Sequence, residues 1–100
     1  MPLFVLSCTD NEGTVEKRIA TRPAHVARLE QLNDEGRLIV AGALPKDPNN
    51  PQAGFYGSTI IVDFESREAV EAWVAEEPFL KEAIYSHIDI KPFNKAFPKG

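Results

Sequence analysis

The stretch STIIVDFESREAVEAWVAEEPF, residues 58–79, changes its hydrophobic period halfway along and decides the fold. From Ser58 to Glu65 the side chains alternate between an apolar face and a mixed face, which predicts a β-strand. Ser66 is a favourable N-cap, and Pro78 ends the helix that follows it. The apolar side of this helix is formed by Val70, Trp73 and Val74. The stretch therefore predicts a strand that leads directly into an amphipathic helix.

A helix and a strand in the opposite order precede this stretch. RPAHVARLEQLNDEGRL, residues 22–38, predicts a helix that begins around Thr21–Pro23, because proline is tolerated in a first turn. Gly36 is a natural residue to end it. The segment before it, residues 14–21, predicts at most a short helical turn. RLIVAGAL, Arg37–Leu44, is almost continuously apolar, which is typical of a central strand buried on both faces.

Two more strands complete the pattern, at Leu3–Thr9 and at Tyr85–Phe93. The order β-α-β-β-α-β predicts an α+β, ferredoxin-like sandwich with both helices on one face of the sheet, in a single domain over residues 1–100. The loop Pro45–Gly57 is rich in proline and asparagine, and we expect no regular structure in it. Its length indicates a functional role, and we expect it to form the rim of a pocket.

The strands carry apolar side chains on both faces, although the helices cover only one. Ile60 and Val62 point one way and Ile61 the other. A bare apolar face of this size needs a cover, most simply a second copy of the chain. We therefore expect a homodimer.

Composition excludes several classes of partner. The chain has 100 residues and a net charge of −4, which argues against nucleic acid because phosphate contacts need a basic patch. No stretch approaches the roughly 20 apolar residues that a membrane span needs. The first residues lack the basic region of a signal peptide, and the single cysteine excludes an internal disulfide, so we expect a cytoplasmic protein. Two histidines and one cysteine lie too far apart for a metal site, and the glycines do not form a phosphate loop, so we expect no metal and no cofactor.

Two ionisable residues lie on helix sides that should be buried. His25 falls between leucines on the apolar side of the first helix, with Arg22 beside it, and Glu77 follows Val70 by seven residues on the second helix. Because both helices cover the same sheet face, His25 and Glu77 can meet. A carboxylate that orients an imidazole makes it a competent general base. The alternative is a structural, partly buried histidine and a solvated glutamate at a helix end.

Several separated blocks resemble the YciI-like (YCII-related) proteins: RPAHVARLEQLNDEGRL, GFYGSTIIVDFES and HIDIKPF. The resemblance implies a ferredoxin-like fold, a dimeric α/β-barrel-type assembly, and a histidine–aspartate pair in a pocket. The family histidine corresponds to His25, whereas Glu77 stands where the family has aspartate. The block Gly57-Ser58-Thr59 corresponds to a family motif that brings the Ser58 hydroxyl to the pocket. The type proteins have no established reaction, and one more distant relative uses such a pair for an elimination.

Two classes of function follow from these residues. One is a cofactor-free isomerase or lyase that removes a proton from a small carbonyl or carboxylate metabolite. In it His25 is the base and Glu77 its partner, while Arg22, Ser58 and Gly57 bind the substrate. The other is a non-catalytic dimeric module that binds a metabolite or a partner through the same pocket. Chemistry like that of the dimeric α/β-barrel monooxygenases is a weaker, third possibility, because a shared fold is poor support for shared chemistry.

Overall fold

The computed structural model describes residues 2–99, which form one sheet of four strands and three α-helices. The strands are β1 (Leu3–Asp10), β2 (Leu38–Pro45), β3 (Phe55–Asp63) and β4 (Tyr85–Phe93). The helices are α1 (Val15–Asp34), α2 (Arg67–Ala75) and the short α3 (Pro78–Lys81). Of these, β4 has the predicted bounds, and the Ser66 side chain caps α2 as predicted by accepting from the Ala69 N–H.

The sheet has the order β2-β3-β1-β4, and every neighbouring pair is antiparallel. Consecutive strands joined by a helix therefore lie parallel to each other with one strand between them, as two interleaved βαβ units require. The register brings Leu6 opposite Ile60 on one side and Ile90 on the other, and Ile60 in turn lies opposite Ala41. The ferredoxin-like α+β fold is confirmed.

One hydrophobic core lies between the sheet and the helices. Alternate residues of β1 and β3 point into it, as the two-residue period of a strand requires. Val70 of α2 and Phe79 of α3 are fully buried against them. The side chains of β1 and β3 that form this core, all at most 6% exposed, are Phe4, Leu6, Cys8, Ile60 and Val62. This core fixes the helix faces, and with them the polar side chains described below.

Helix α1 begins at Val15, earlier than the expected start at Thr21–Pro23. Pro23 lies inside the helix, where its missing N–H removes one backbone hydrogen bond. The expectation was wrong because proline is common in a first turn, whereas here two further turns precede it. The extra turns place Arg18 on the buried side of the helix.

Strand β2 is an edge strand, so the expected central strand buried on both faces was wrong. It pairs with β3 alone, and most of its residues are exposed. Val40 and Leu44 are 52% and 43% exposed. Burial within one chain therefore does not explain why the residues of β2 are apolar.

The loop between β2 and β3 is shorter and more regular than expected. Strand β2 continues to Pro45, β3 begins at Phe55, and a 3-10 turn occupies Pro51–Ala53 between them. The Asn50 side chain caps that turn by accepting from the Gln52 N–H. Within residues 2–99, none of the helices is both long enough and apolar enough to cross a bilayer.

Candidate active site at the buried histidine

The structure brings His25 of α1 and Glu77 into direct contact. Nδ1 of His25 hydrogen-bonds to Oε1 of Glu77, and their side chains are 9% and 0% exposed. A carboxylate accepts hydrogen bonds, so Nδ1 is the donor of this contact, and in the neutral imidazole the lone pair is then on Nε2. In this arrangement the carboxylate fixes both the tautomer and the orientation of the ring.

Arg28 is a third member of this cluster, which the sequence reasoning missed. Its Nη1 donates to Oε2 of Glu77 at 2.8 Å, and its Nη2 donates to the Trp73 carbonyl at 2.7 Å. The guanidinium also lies 4.1 Å from the centre of the Trp73 ring. Arg28 follows His25 by three residues, which places both on the same side of a helix, and that spacing was the available signal. The buried carboxylate thus has a charged partner as well as the histidine.

The local fold at Pro78 explains how Glu77 enters the core. Helix α2 ends at Ala75, and Glu77 becomes the N-cap of α3, whose first residue is Pro78. The Glu77 side chain accepts from the Phe79 N–H at 3.4 Å, which fixes the carboxylate at the helix start. Phe79 then stacks on the His25 ring with 4.1 Å between the ring centres and 9° between the planes. The same tight turn therefore supplies both the carboxylate and the aromatic support of the imidazole.

His25 also lines a cavity of about 140 Å³ between α1 and the strands β2 and β3. The polar lining side chains are Arg18, Arg22, His25 and Ser58, and the apolar lining includes Val26, Leu29 and Ile60. Glu77 is not among the lining residues, and it contacts the ring through Nδ1, so Nε2 is the ring nitrogen left for a ligand. The cavity combines a possible base with cationic and hydroxyl groups.

A second polar cluster surrounds Ser58 and includes Arg18. The Oγ of Ser58 accepts from Arg18 Nη2 at 2.9 Å and from the Tyr85 hydroxyl at 2.8 Å. Arg18 Nε donates to Asp10 at 2.9 Å, and its guanidinium lies 4.2 Å from the centre of the Phe55 ring. Arg18 was missed because the helix was expected to begin after it. Once α1 starts at Val15, the spacing of residues 18, 22 and 25 indicates one helix side.

The other expected binding residues are placed differently. Arg22 lines the cavity and is exposed, whereas Gly57 is buried and not among the lining residues. The Gly57 carbonyl accepts from Arg18 Nη2 at 3.2 Å. A Cβ at Gly57 would lie 1.7 Å from the Cys8 carbonyl oxygen, so only glycine fits where β3 passes β1. Gly57 therefore holds Arg18 in place rather than facing a ligand in this cavity.

Most of the loop expected to form the pocket rim lies away from the cavity at His25. None of residues 46–57 is among those that line the cavity at His25. Gln52 to Phe55 instead line a separate hollow, together with the start of α1 and Lys46. Phe55, however, lines an adjoining hollow together with Arg18, Arg22 and Ala43, which also line the cavity at His25. Phe55 is therefore at the edge of the cavity as predicted, whereas residues 46–54 are not.

Cys8 and Tyr85 are buried beside these clusters. Burial raises the pKa of the Cys8 thiol to about 12, and burial also raises the pKa of Tyr85 above its usual range. Both groups stay protonated at neutral pH, so Cys8 lacks the thiolate that a nucleophile needs. Within the part of the chain that the structure describes, no three His, Cys, Asp or Glu side chains come together as a metal site would require.

The second histidine lies far from this site, on the outer face of β4. His87 Nε2 is 3.7 Å from Asp89 Oδ2, and both side chains are more than half exposed. The Nδ1 of His87 lies 2.9 Å from the Ser86 hydroxyl. Trp73 is half-buried against the core, in an edge contact with Phe64 as well as under Arg28.

Known structures share this fold. A 5-chloro-2-hydroxyhydroquinone dehydrochlorinase from Burkholderia phenoliruptrix, solved in complex with 2,5-dihydroxybenzoquinone, is 27% identical with a TM-score of 0.80. The similarity covers 92% of this chain and 93% of that one. An antibiotic biosynthesis monooxygenase, 14% identical with a TM-score of 0.53 over 96% of this chain and 99% of that one, shares the fold alone.

The sequence comparisons agree with the blocks quoted above. Residues 2–94 match the YCII-related domain. Protein YciI of Escherichia coli O6:H1 is 48% identical over 97 residues, which cover 95% of this chain and 99% of that protein. Similarity at this level along nearly the full length of both sequences shows that the chain belongs to the YCII-related family.

Proposed function

We propose that this protein is a cofactor-free enzyme that transfers a proton on a small carbonyl or carboxylate compound, with His25 as the general base. One observation carries the proposal: the buried His25–Glu77 contact leaves Nε2 as the free ring nitrogen of a histidine that lines a cavity. A positioned base of this kind contributes about 10²–10⁴-fold to a rate.

The rest of the cavity suits such a reaction. Removal of a proton next to a carbonyl places negative charge on the carbonyl oxygen, and cationic or hydroxyl donors stabilise that charge. Arg18, Arg22 and Ser58 supply such donors in the same cavity. The apolar lining at Val26 and Leu29 fits the carbon skeleton of a small molecule. Isomerisation and elimination both begin with this step.

The dehydrochlorinase supports the proposal because it shares the fold and more than a quarter of its residues, and its name describes an elimination. Elimination of HCl from a ring requires a proton acceptor, and in this proposal His25 is that acceptor. The chlorinated substrate is that of the dehydrochlorinase and is not part of this proposal.

We test the reaction by proton exchange in D₂O with a panel of small keto acids, lactones and 2,5-dihydroxybenzoquinone, followed by proton NMR. Wild-type protein should exchange a C–H proton of at least one compound, and His25→Asn should lower that rate by about 10²–10⁴-fold. His87→Asn is the matched control and should leave the rate unchanged. A compound that binds without exchange, with affinity independent of His25, would favour the binding module instead.

We also propose that the protein is a homodimer in the cytoplasm. Strand residues on the face without helices are apolar at Leu3, Val5 and Ile61, and Val40, opposite Ile61, is 52% exposed. A second copy on this face would need to bury more than about 1,200 Å² in total, the lower bound of stable interfaces. Sedimentation at micromolar concentration tests this, and a monomer there would contradict it.

A further inference from the structure

The hydroxyl of Ser58 is held by two hydrogen bonds from inside the protein. The Arg18 guanidinium and the Tyr85 hydroxyl both direct a proton at its oxygen, at 2.9 and 2.8 Å. A serine hydroxyl has two acceptor lone pairs and one proton to donate. These two contacts therefore occupy both lone pairs, and the proton of Ser58 is left for a third partner.

Whether Ser58 keeps a proton to donate depends on the direction of its hydrogen bond with Tyr85. A guanidinium can only donate, whereas a phenol can donate or accept. The Cys8 thiol is a second, weaker acceptor within reach of the phenol, and the 2.8 Å hydrogen bond runs from the Tyr85 hydroxyl to the oxygen of Ser58. Burial raises the pKa of Tyr85, which keeps the phenol protonated and able to donate.

The cavity is where a third partner can accept the remaining proton of Ser58. Ser58 is 4% exposed and lies on the wall of the cavity that His25 and Arg18 also line. We propose that Ser58 donates this proton to an oxygen of the substrate, and that Tyr85 is a positioning residue that makes Ser58 a donor. This inference rests on the proposed function, since it takes the cavity as the substrate site.

The proposal narrows the substrate to compounds whose oxygen becomes an enolate or a phenolate. The C–H proton moves to Nε2 of His25, the C–H electron pair forms a carbon–carbon double bond, and the carbonyl electron pair moves onto oxygen. That oxygen then accepts from Ser58 and from Arg18. Hydrogen bonds to a charged oxygen are stronger than those to a neutral one. Ser58 and Arg18 therefore stabilise the enolate or phenolate more than they stabilise the bound ketone.

The test compares two probes of similar shape, 4-nitrophenolate and nitrobenzene, by titration of the intact protein. Ser58→Ala should weaken 4-nitrophenolate binding by about 10–100-fold, the range for a hydrogen bond to a charged group. Nitrobenzene binding should stay within about twofold of wild type. Ser58→Thr, which keeps a hydroxyl, should restore most of the phenolate affinity.

Tyr85→Phe tests the positioning role without removing a group from the cavity wall. It should weaken phenolate binding by less than Ser58→Ala does and leave nitrobenzene binding unchanged. In both variants the absorption band of the bound phenolate should move to longer wavelength, because it loses hydrogen-bond stabilisation. Equal losses for both probes, or an unchanged band in both variants, would overturn the proposal.

If the proposed function is wrong and His25 is not the base, the measurements give a different result from a failure of the Ser58 proposal. In that case His25→Asn leaves proton exchange unchanged, while the difference between the two probes still depends on Ser58. If Ser58→Ala unfolds, Tyr85→Phe and Ser58→Thr still test whether Ser58 is a donor, since both variants keep the shape of the site. The two failures are therefore distinguishable.

Discussion

Two histidine–carboxylate pairs occur in this chain in opposite surroundings. The side chains of His25 and Glu77 are 9% and 0% exposed, whereas those of His87 and Asp89 are 58% and 61% exposed. The first pair joins residues 52 positions apart and has Arg28 as a third partner, while the second joins neighbours on one strand face. The comparison teaches that a histidine next to a carboxylate is not distinctive by itself, because only the buried pair has its ring held by a third partner and by stacking on Phe79.

The largest expected effect comes from removing the carboxylate of each pair. Glu77→Ala leaves Arg28 and His25 without their buried acceptor, and should lower the free energy of unfolding by about 3–5 kcal/mol. Asp89→Ala removes an exposed partner and should change it by less than about 0.5 kcal/mol. Urea unfolding measures both. Similar losses for the two variants would show that burial does not distinguish the pairs.

A pH-dependent effect concerns the protonated groups packed near the buried pair. The folded state holds the pKa of Cys8 at about 12, while the unfolded chain ionises this thiol at its ordinary value of 9.0. Above that ordinary value the unfolded chain releases a proton that the folded protein keeps. Stability is therefore full below it and falls by about 1.4 kcal/mol per pH unit up to the folded value.

Urea unfolding across this alkaline range measures the slope, with Cys8→Ala as the control. The variant should lose the part of the slope that begins at the ordinary thiol pKa and keep the part that Tyr85 adds at higher pH. An identical slope in both proteins would mean that Cys8 is not buried as a neutral thiol.

The sequence predicted the elements whose local signals agree. The alternation in Tyr85–Phe93 and the Ser66 cap need no tertiary information, and both are confirmed. The meeting of His25 and Glu77 followed from the helix order and one shared sheet face. By contrast, α1 starts at Val15 because tertiary packing of Arg18 outweighs the preference of Pro23 for a first turn.

Other features depend on the arrangement of strands, which local patterns do not contain. Nothing within Arg37–Leu44 distinguishes an edge strand from a central one when a partner chain can cover it. The Ser58 cluster unites β3, α1 and β4 through Arg18 and Tyr85, so it appears only once the strand order is known. The helical spacing of residues 25 and 28 could have indicated Arg28. It was missed because an arginine at such a position is usually an ordinary surface charge.

The smallest expected effect comes from Glu77→Asp, which keeps the charge and shortens the side chain by one methylene. The carboxylate of Glu77 accepts from His25, from Arg28 and from the Phe79 N–H. Aspartate is a good N-cap and keeps the contact with Phe79, and the long Arg28 side chain can follow the shorter carboxylate. We therefore expect the free energy of unfolding to change by less than about 1 kcal/mol.

The contact with His25 is the one that this substitution strains, because stacking on Phe79 fixes the ring. Proton exchange should fall by no more than about tenfold, far less than in His25→Asn, since a carboxylate still faces Nδ1. The urea and exchange measurements described above check both numbers. If Glu77→Asp lost as much stability as Glu77→Ala, the reach of the side chain rather than its charge would hold the buried pair together. In that case the buried pair would differ from the exposed one by its packing as much as by its electrostatics.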